Sequence, residues 1–344
     1  MLTKPCSRRA HRRGDRLPTL TVLATLAGLL GPAAQAAGAS AALPPVFITG
    51  NPLGSEQIAS PASVLTGPGL VLRRGSSLGD TLDGLPGVSA SRFGPNASRP
   101  VIRGLDGDRI RVLNNAGATL DASALSFDHA VPIDPLAVER IEVLRGPAAL
   151  LYGGSAIGGV VNAIDNRIPD TPLAGPTGAV ELRGGGAARE RGASALLETG
   201  GPGYAIHADA FKRRTDDLRV PGFDRPTGGG SERRGRVVNS ASDAEGGALG
   251  ASLLWDRGHL GAAVDTYRND YGVVVEDEVT IRLRRDRLAL AGGWRSPDGA
   301  LRALRGRVQF SDYAHREFEG AELGTTFRNR GHDARFEAEH APLG

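Results

Sequence analysis

Apolar and polar residues alternate one for one over most of the second half of the chain. Tyr204, Ile206, Ala208 and Ala210 fall on one face of an extended segment with His207 and Asp209 opposite, and Leu249, Ala251, Leu253 and Trp255 share a face. Val279, Ile281 and Leu283 oppose Thr280, Arg282 and Arg284; Leu304, Val308 and Phe310 oppose Arg305, Arg307 and Gln309; Ala334, Phe336 and Ala338 oppose Arg335, Glu337 and Glu339. Successive side chains of a strand point to opposite faces, so each run predicts a strand with one oily and one wet face. Such strands suit a membrane barrel, apolar toward lipid and charged toward a watery lumen. They also suit a soluble antiparallel sandwich, and periodicity alone leaves both open.

Before residue 172 the pattern differs. Ser77 and Asp80 stand at capping-box spacing with Leu78 and Leu82 on one face, which predicts a short helix ended by Gly84-Leu85-Pro86-Gly87. Pro100–Gly104 and Arg109–Leu113 read as strands, and Asp106-Gly107-Asp108 between them predicts a tight turn. From Val138 to Ile164 a strand is broken at Arg145-Gly146-Pro147, and Pro147 suits the first turn of a short helix because its missing N–H is not needed there. Gly153-Gly154 stops that helix, and a glycine-rich return strand follows. A transmembrane helix is the competing reading of the uncharged stretch Gly146–Ile164. Five glycines and a proline interrupt it, and a glycine costs about 1 kcal/mol in a helix interior.

The first 36 residues change the reading of charge. Lys4, Arg8, Arg9, Arg12, Arg13 and Arg16 precede an apolar core from Leu17 to Leu30, and Ala34-Gln35-Ala36 supplies a small-residue cleavage site, the layout of a secretory signal peptide. The formal net charge of the whole chain is +3, but the leader holds six basic residues and one acid, so the exported chain carries about −2. Nucleic-acid binding has no electrostatic support. The single cysteine, Cys6, lies in the leader, which excludes disulfides and thiolate ligands from the exported chain.

The run V-E-R-I-E-V-L-R-G-P-A-A-L-L-Y-G-G-S-A-I-G-G-V-V-N-A-I, residues 138–164, closely resembles the end of the plug domain of TonB-dependent outer-membrane receptors. The resemblance extends from about Val46 to Pro169. It implies a mixed α/β plug domain followed by an antiparallel transmembrane β-barrel, here incomplete: signal peptide 1–36, N-terminal arm 37–60, plug 61–172 and partial barrel 173–344. Within the arm, Val46, Phe47, Ile48, Thr49 and Gly50 look like a TonB box, an extended segment that adds as a strand to the sheet of TonB, the partner in the inner-membrane energy-transducing complex. Residues 176–344 have room for about eight or nine membrane strands, and an unclosed barrel would leave unpaired sheet edges in outer-membrane lipid. The expectation is therefore the N-terminal part of a longer receptor.

Asn114–Pro135 carries the substrate expectation. The segment resembles the zinc-uptake branch of these receptors, in which an adjacent Asp and His of the apical plug loop help bind the metal, and Asp128 and His129 fall on those positions. An imidazole nitrogen and a carboxylate oxygen suit zinc, and a site short of four protein ligands can release it. The branch completes its site with an acid and a histidine from the barrel, expected here beyond Gly344. His207, His259, His315, His332 and His340 are scattered singly and read as lumen, loop or interface residues; His315-Arg316-Glu317-Phe318-Glu319 is the one acidic-histidine cluster. Zn(2+) enters as transported substrate, with no prosthetic group. The alternatives are a haem or ferric-siderophore receptor and, from another class, a secreted β-rich binding or adhesion module without transport.

Enzymatic readings find little. Gly153–Gly159 has the glycines of a phosphate loop without the lysine that must follow, and no serine sits in a nucleophile elbow. Arg103, Arg109, Arg140 and Arg145 recur beside Asp106, Asp108, Glu139 and Glu142, and are expected to fasten a plug inside a polar lumen.

Overall fold

The computed structural model describes residues 62–227, 230–296 and 298–341. The predicted leader and the arm with Val46–Gly50 lie outside the described residues.

The first unit contains β1 (Ala62–Thr66), α1 (Gly67–Arg73), α2 (Leu78–Leu82), β2 (Val88–Ala90), β3 (Pro100–Ile102), β4 (Ile110–Asn114), β5 (Gly117–Ala118), β6 (Arg140–Leu144) and β7 (Gly159–Ile164). Five of these strands form one sheet in the order β1-β6-β7-β4-β5, with β4 and β7 parallel and the other pairs antiparallel. α2 starts where its cap predicts: the Ser77 hydroxyl accepts the Asp80 N–H at 3.2 Å. Leu70, Leu78 and Leu82 then bury against Ile141, Val143 and Val161 of the sheet.

Two expectations shift. The Gly-Pro segment forms 3-10 turns at Pro147–Tyr152 and Gly154–Ala156 rather than an α-helix, because glycines close both ends before enough residues accumulate to repay helix nucleation. The turn at Gly107–Arg109 does not join a hairpin: β3 pairs with β2, while β4 pairs with β7 and β5. No helix among the described residues is long and apolar enough to cross a membrane.

The second unit is made of long strands: β8 (Thr177–Gly185), β9 (Glu190–Gly201), β10 (Tyr204–Thr215), β11 (Leu218–Thr227), β12 (Gly230–Val237), β13 (Ser242–Trp255), β14 (Gly258–Gly272), β15 (Val279–Arg295), β16 (Leu301–Glu319) and β17 (Glu322–His340). Eight of them form one antiparallel sheet, β8-β9-β10-β13-β14-β15-β16-β17, and β11–β12 is a separate hairpin between β10 and β13. Cross-strand register sorts the outward side chains into rows. Trp255, Trp294 and Leu304 share the row nearest the short turns, followed by Tyr204–Leu253–Leu260, then Ile206–Ala251–Ala262–Leu290–Val308–Ala334, then Ala208–Leu249–Val264–Leu288–Phe310–His332. Rows two residues apart are about 6.8 Å apart along a strand, so these four span about 20 Å along the strands, or about 16 Å along the membrane normal at the usual tilt, and form most of an outer-membrane barrel's apolar band with aromatics at its rim. The next row is polar: Thr266, Asp286, Asp312 and Arg330.

Above that row the polarity of the sheet inverts. Ile281 and Leu283, expected on the lipid face, point inward at 0% and 2% exposure, while Arg282 and Arg284 point out. There the outside is water and the inside packs on the first unit. Tyr267, Tyr271, Ile281, Leu283 and Tyr313 of the sheet join Ala97, Ala122, Ala130 and Leu136 of the plug unit in one core.

Candidate metal centre

The loop from Gly117 to Pro135 crosses the inner face of the sheet and is sewn to five of its strands. Gln309 of β16 donates to the Ala118 carbonyl, Asn329 of β17 to that of Leu120 at 3.1 Å, and Arg285 of β15 to that of Pro132 at 2.7 Å. Tyr271 of β14 accepts the Ala130 N–H at 2.8 Å and donates to the Asp128 carbonyl at 2.9 Å. At the loop's end the Asp134 carboxylate accepts the Leu136 N–H at 3.0 Å and pairs with Arg213 of β10 at 2.8 Å. Complete burial pushes that carboxyl above its usual range, and the Arg213 charge opposes the shift.

These contacts set His129 against the barrel wall. His129 Nε2 lies 3.1 Å from Glu317 Oε1, and His315 Nε2 lies 3.2 Å from the same oxygen. The two imidazole centroids are 4.2 Å apart. His129, His315 and Glu317 each offer one ligand atom, and these atoms all lie within 4.8 Å of one another, the one such group of three among the described residues. Both histidine side chains are buried, at 4% and 0% exposure, and Glu317 is partly open at 24%. Asp128 stands further back: its Oδ1 is 4.0 Å from His129 Nε2 and is held by the Ser126 hydroxyl.

The remaining ring nitrogens are tied down. His129 Nδ1 is 2.9 Å from the Ala122 carbonyl, which can only accept, so Nδ1 carries hydrogen and Nε2 is the nitrogen turned to Glu317. Carboxylate oxygen is an acceptor too, so a proton or a cation has to stand between Nε2 and Glu317. His315 Nδ1 is 3.2 Å from the Tyr313 hydroxyl, and Phe327 packs edge-on against both imidazoles, at centroid distances of 5.1 and 5.4 Å. Two imidazoles, each oriented by a hydrogen bond behind it, and one carboxylate make a three-ligand donor set of the kind that suits zinc.

An acid and a histidine of the barrel are expected beyond Gly344; among the described residues a pair of those types, Glu317 and His315, already stands beside His129. His315 and Glu317 are two residues apart on one strand and so share its inner face. Tyr271, Tyr313 and Phe327 fall outside the alternating runs read from the sequence and carried no signal there. The seam fastening also differs from expectation. Arg140 pairs with Glu142 in its own sheet at 3.0 Å, and Arg145 donates to the Pro86 carbonyl and to Ser63 Oγ. The seam is held instead by Arg167 with Asp209 at 2.8 Å and Asp265 at 3.3 Å, by Arg287 with Asp165 at 3.6 Å, and by Arg74 with Glu181. Arg167 and Arg287 hold the Asp165 carboxyl below its usual range against the opposing effect of burial.

Residues 55–160 match the family model of the TonB-dependent Receptor Plug Domain. The chain is 30% identical over 176 residues to the vitamin B12 transporter BtuB of Photobacterium profundum, a match that covers 48% of this chain and 29% of that relative. The fold is similar to that of the copper transporter OprC, with TM-score 0.60, 18% identity, and coverage of 74% of this chain and 38% of that one. It is similar also to a variant of the ferric enterobactin receptor PfeA from Pseudomonas aeruginosa, with TM-score 0.61, 16% identity, and coverage of 81% and 46%. The chain spans less than half the length of each of these proteins.

Proposed function

We propose that this chain, an outer-membrane protein built of a TonB-dependent receptor plug and the barrel strands that follow it, takes up a divalent metal ion, zinc above all, from outside the cell. The relatives it matches are receptors and transporters, and the chain is not an enzyme. The observation that carries the substrate reading is the convergence of His129 Nε2 and His315 Nε2 on Glu317 Oε1 at the plug–barrel seam. Asp128, 4.0 Å from His129 Nε2, is the reserve oxygen ligand. Nitrogen and oxygen donors favour zinc over a soft cuprous ion, and the chain's only sulfur residues are Met1 and Cys6.

The centre lies well above the apolar rows, on the side away from the short turns that end at Trp255 and Trp294. An ion captured there has the plug between it and the periplasm. TonB, engaging Val46–Gly50 as an added strand, supplies mechanical work that displaces the plug and opens the path. Because the ligands come from both sides of the seam, displacing the plug parts His129 from His315 and Glu317 and so releases the ion.

Zinc titration by calorimetry, with metal analysis of the full-length receptor, tests the assignment. One zinc per chain is expected, with affinity at least tenfold lower in His129→Ala and in Glu317→Gln. Equal affinity in all three proteins removes these residues from the site, and tight binding of haem or a ferric chelate without zinc binding replaces the substrate.

A further inference from the structure

The outward face of β15–β17 carries a second group of converging side chains, on the far side of the wall from the metal centre and independent of it. Arg284, Ala314 and Arg328 stand side by side in one cross-strand row, and Arg282 and Arg316 face each other directly in the row above. Arg268 faces Arg284 from β14. All five arginines are exposed. Ala314, in the middle, is the smallest side chain of the group and forms the floor of a basin ringed by Arg282, Arg284, Arg316 and Arg328.

Like charges directly opposite on one face of a sheet are destabilising; Asp270 faces Arg282 and Glu245 faces Arg268 from the neighbouring strands, whereas no acid faces Arg316 or Arg328 in its own row. Arg284 pairs with Asp286, and Asp312 in the row below is taken by Arg330 at 2.9 Å. Arg282 lies over the Phe318 ring, 4.5 Å from its centroid. Among the described residues, Arg282, Arg316 and Arg328 have no carboxylate within ion-pair distance. A bound anion removes the repulsion, and guanidinium forks match phosphate oxygens two at a time.

Position selects the source of the anion. The basin's lower row lies two rows above the last apolar row, Val264–Leu288–Phe310–His332. That is about 13 Å along a strand, or about 10 Å along the membrane normal at the usual barrel tilt. Headgroups extend about 5–8 Å beyond the hydrocarbon, and arginine side chains reach down toward them. The geometry points to a binding site for the phosphate of a lipid headgroup in the outer leaflet, with the acyl chains lying along Leu288, Phe310 and their apolar neighbours.

Binding of a short-chain phosphatidic acid to the detergent-purified protein, read by calorimetry and by native mass spectrometry, tests this site. Wild type is expected to bind it at least tenfold more tightly than does the triple variant Arg282→Gln, Arg316→Gln, Arg328→Gln, and to show no comparable binding of phosphatidylcholine. Ala314→Leu, which fills the floor and changes no charge, is expected to weaken binding at least fivefold. Circular dichroism and the unfolding midpoint in detergent, unchanged in both variants, serve as the control for folding. Equal lipid binding by wild type and the triple variant overturns the site, and full binding by Ala314→Leu overturns the basin. Inorganic phosphate that binds as tightly as the lipid overturns the assignment to a membrane source.

Discussion

The hydroxyl of Tyr271 holds the peptide units on both sides of His129, accepting from the N–H that follows it and donating to the carbonyl that precedes it. Tyr271 is itself buried at 3% exposure, so the ring cannot swing away without opening the seam core. Tyr271→Phe leaves a buried N–H without that partner, at a cost of about 1–3 kcal/mol, and a part-buried carbonyl that water can reach more cheaply. The expected outcome is zinc affinity reduced about tenfold with the overall strand content retained, measured by calorimetry beside circular dichroism.

Zinc binding is expected to weaken steadily as the solution is made more acidic, since protons and metal compete for the same imidazole nitrogens and metal binding releases protons. Calorimetry in buffers of different ionisation enthalpy counts those protons. Release of at least one proton per zinc is expected in wild type and less in His129→Ala.

Glu139 supplies a pH test of the seam. Glu139 is itself exposed, but partial desolvation of its carboxyl by the atoms crowded around it, then the nearby Glu198 charge, push that carboxyl up to about 7 from an ordinary 4.5, an effect that surrounding water screens in part. A carboxyl whose folded-state value is raised favours the folded protein fully below about pH 4.5, and that contribution is lost as pH rises through about 7. The wild-type unfolding midpoint in detergent is therefore expected to fall between pH 5 and pH 8. In Glu139→Gln the fall should be visibly smaller, followed by tryptophan fluorescence in denaturant; identical pH profiles would refute the effect.

Gly250 marks a close approach of plug to wall. A Cβ added there would stand 1.7 Å from the Arg167 carbonyl oxygen, and one at Gly261 would stand 2.5 Å from the Ile168 side chain. Gly250→Ala must push the segment after β7 off the sheet and strain the Arg167 ion pairs with Asp209 and Asp265. Overpacking of this kind costs about 1–3 kcal/mol or more. Limited proteolysis is expected to cut the plug of Gly250→Ala several times faster than that of wild type, while Gly175→Ala, where an added Cβ meets nothing within 4 Å, behaves as wild type.

Strand period and helix cap were legible in the sequence because they are local: Ser77 bonds three residues away, and Ala208 and Ala210 share a face whatever lies behind them. The inversion at Ile281 and Leu283 was not, because the same alternation fits either face and only depth in the membrane decides which face is oily. His315 and Glu317 were visible as a pair but not as partners of His129, which lies 186 and 188 residues away. Nothing local sets that encounter; it follows from the loop being stitched to five strands. Gly250 and Gly261 are likewise two glycines among 49, marked only by what crosses them.

β1 lies at the edge of the plug sheet and is joined to it by a single ladder of five residue pairs, Ala62↔Leu144 to Thr66↔Arg140. Any load arriving through the segment before Ala62 meets that ladder first. β7, by contrast, is inserted between β6 and β4 and continues into the segment clamped by Arg167. The domain therefore has a weak end and a moored end: it can unzip from the front, one strand at a time, while remaining tethered to the wall at the back, ready to close again when the tension stops.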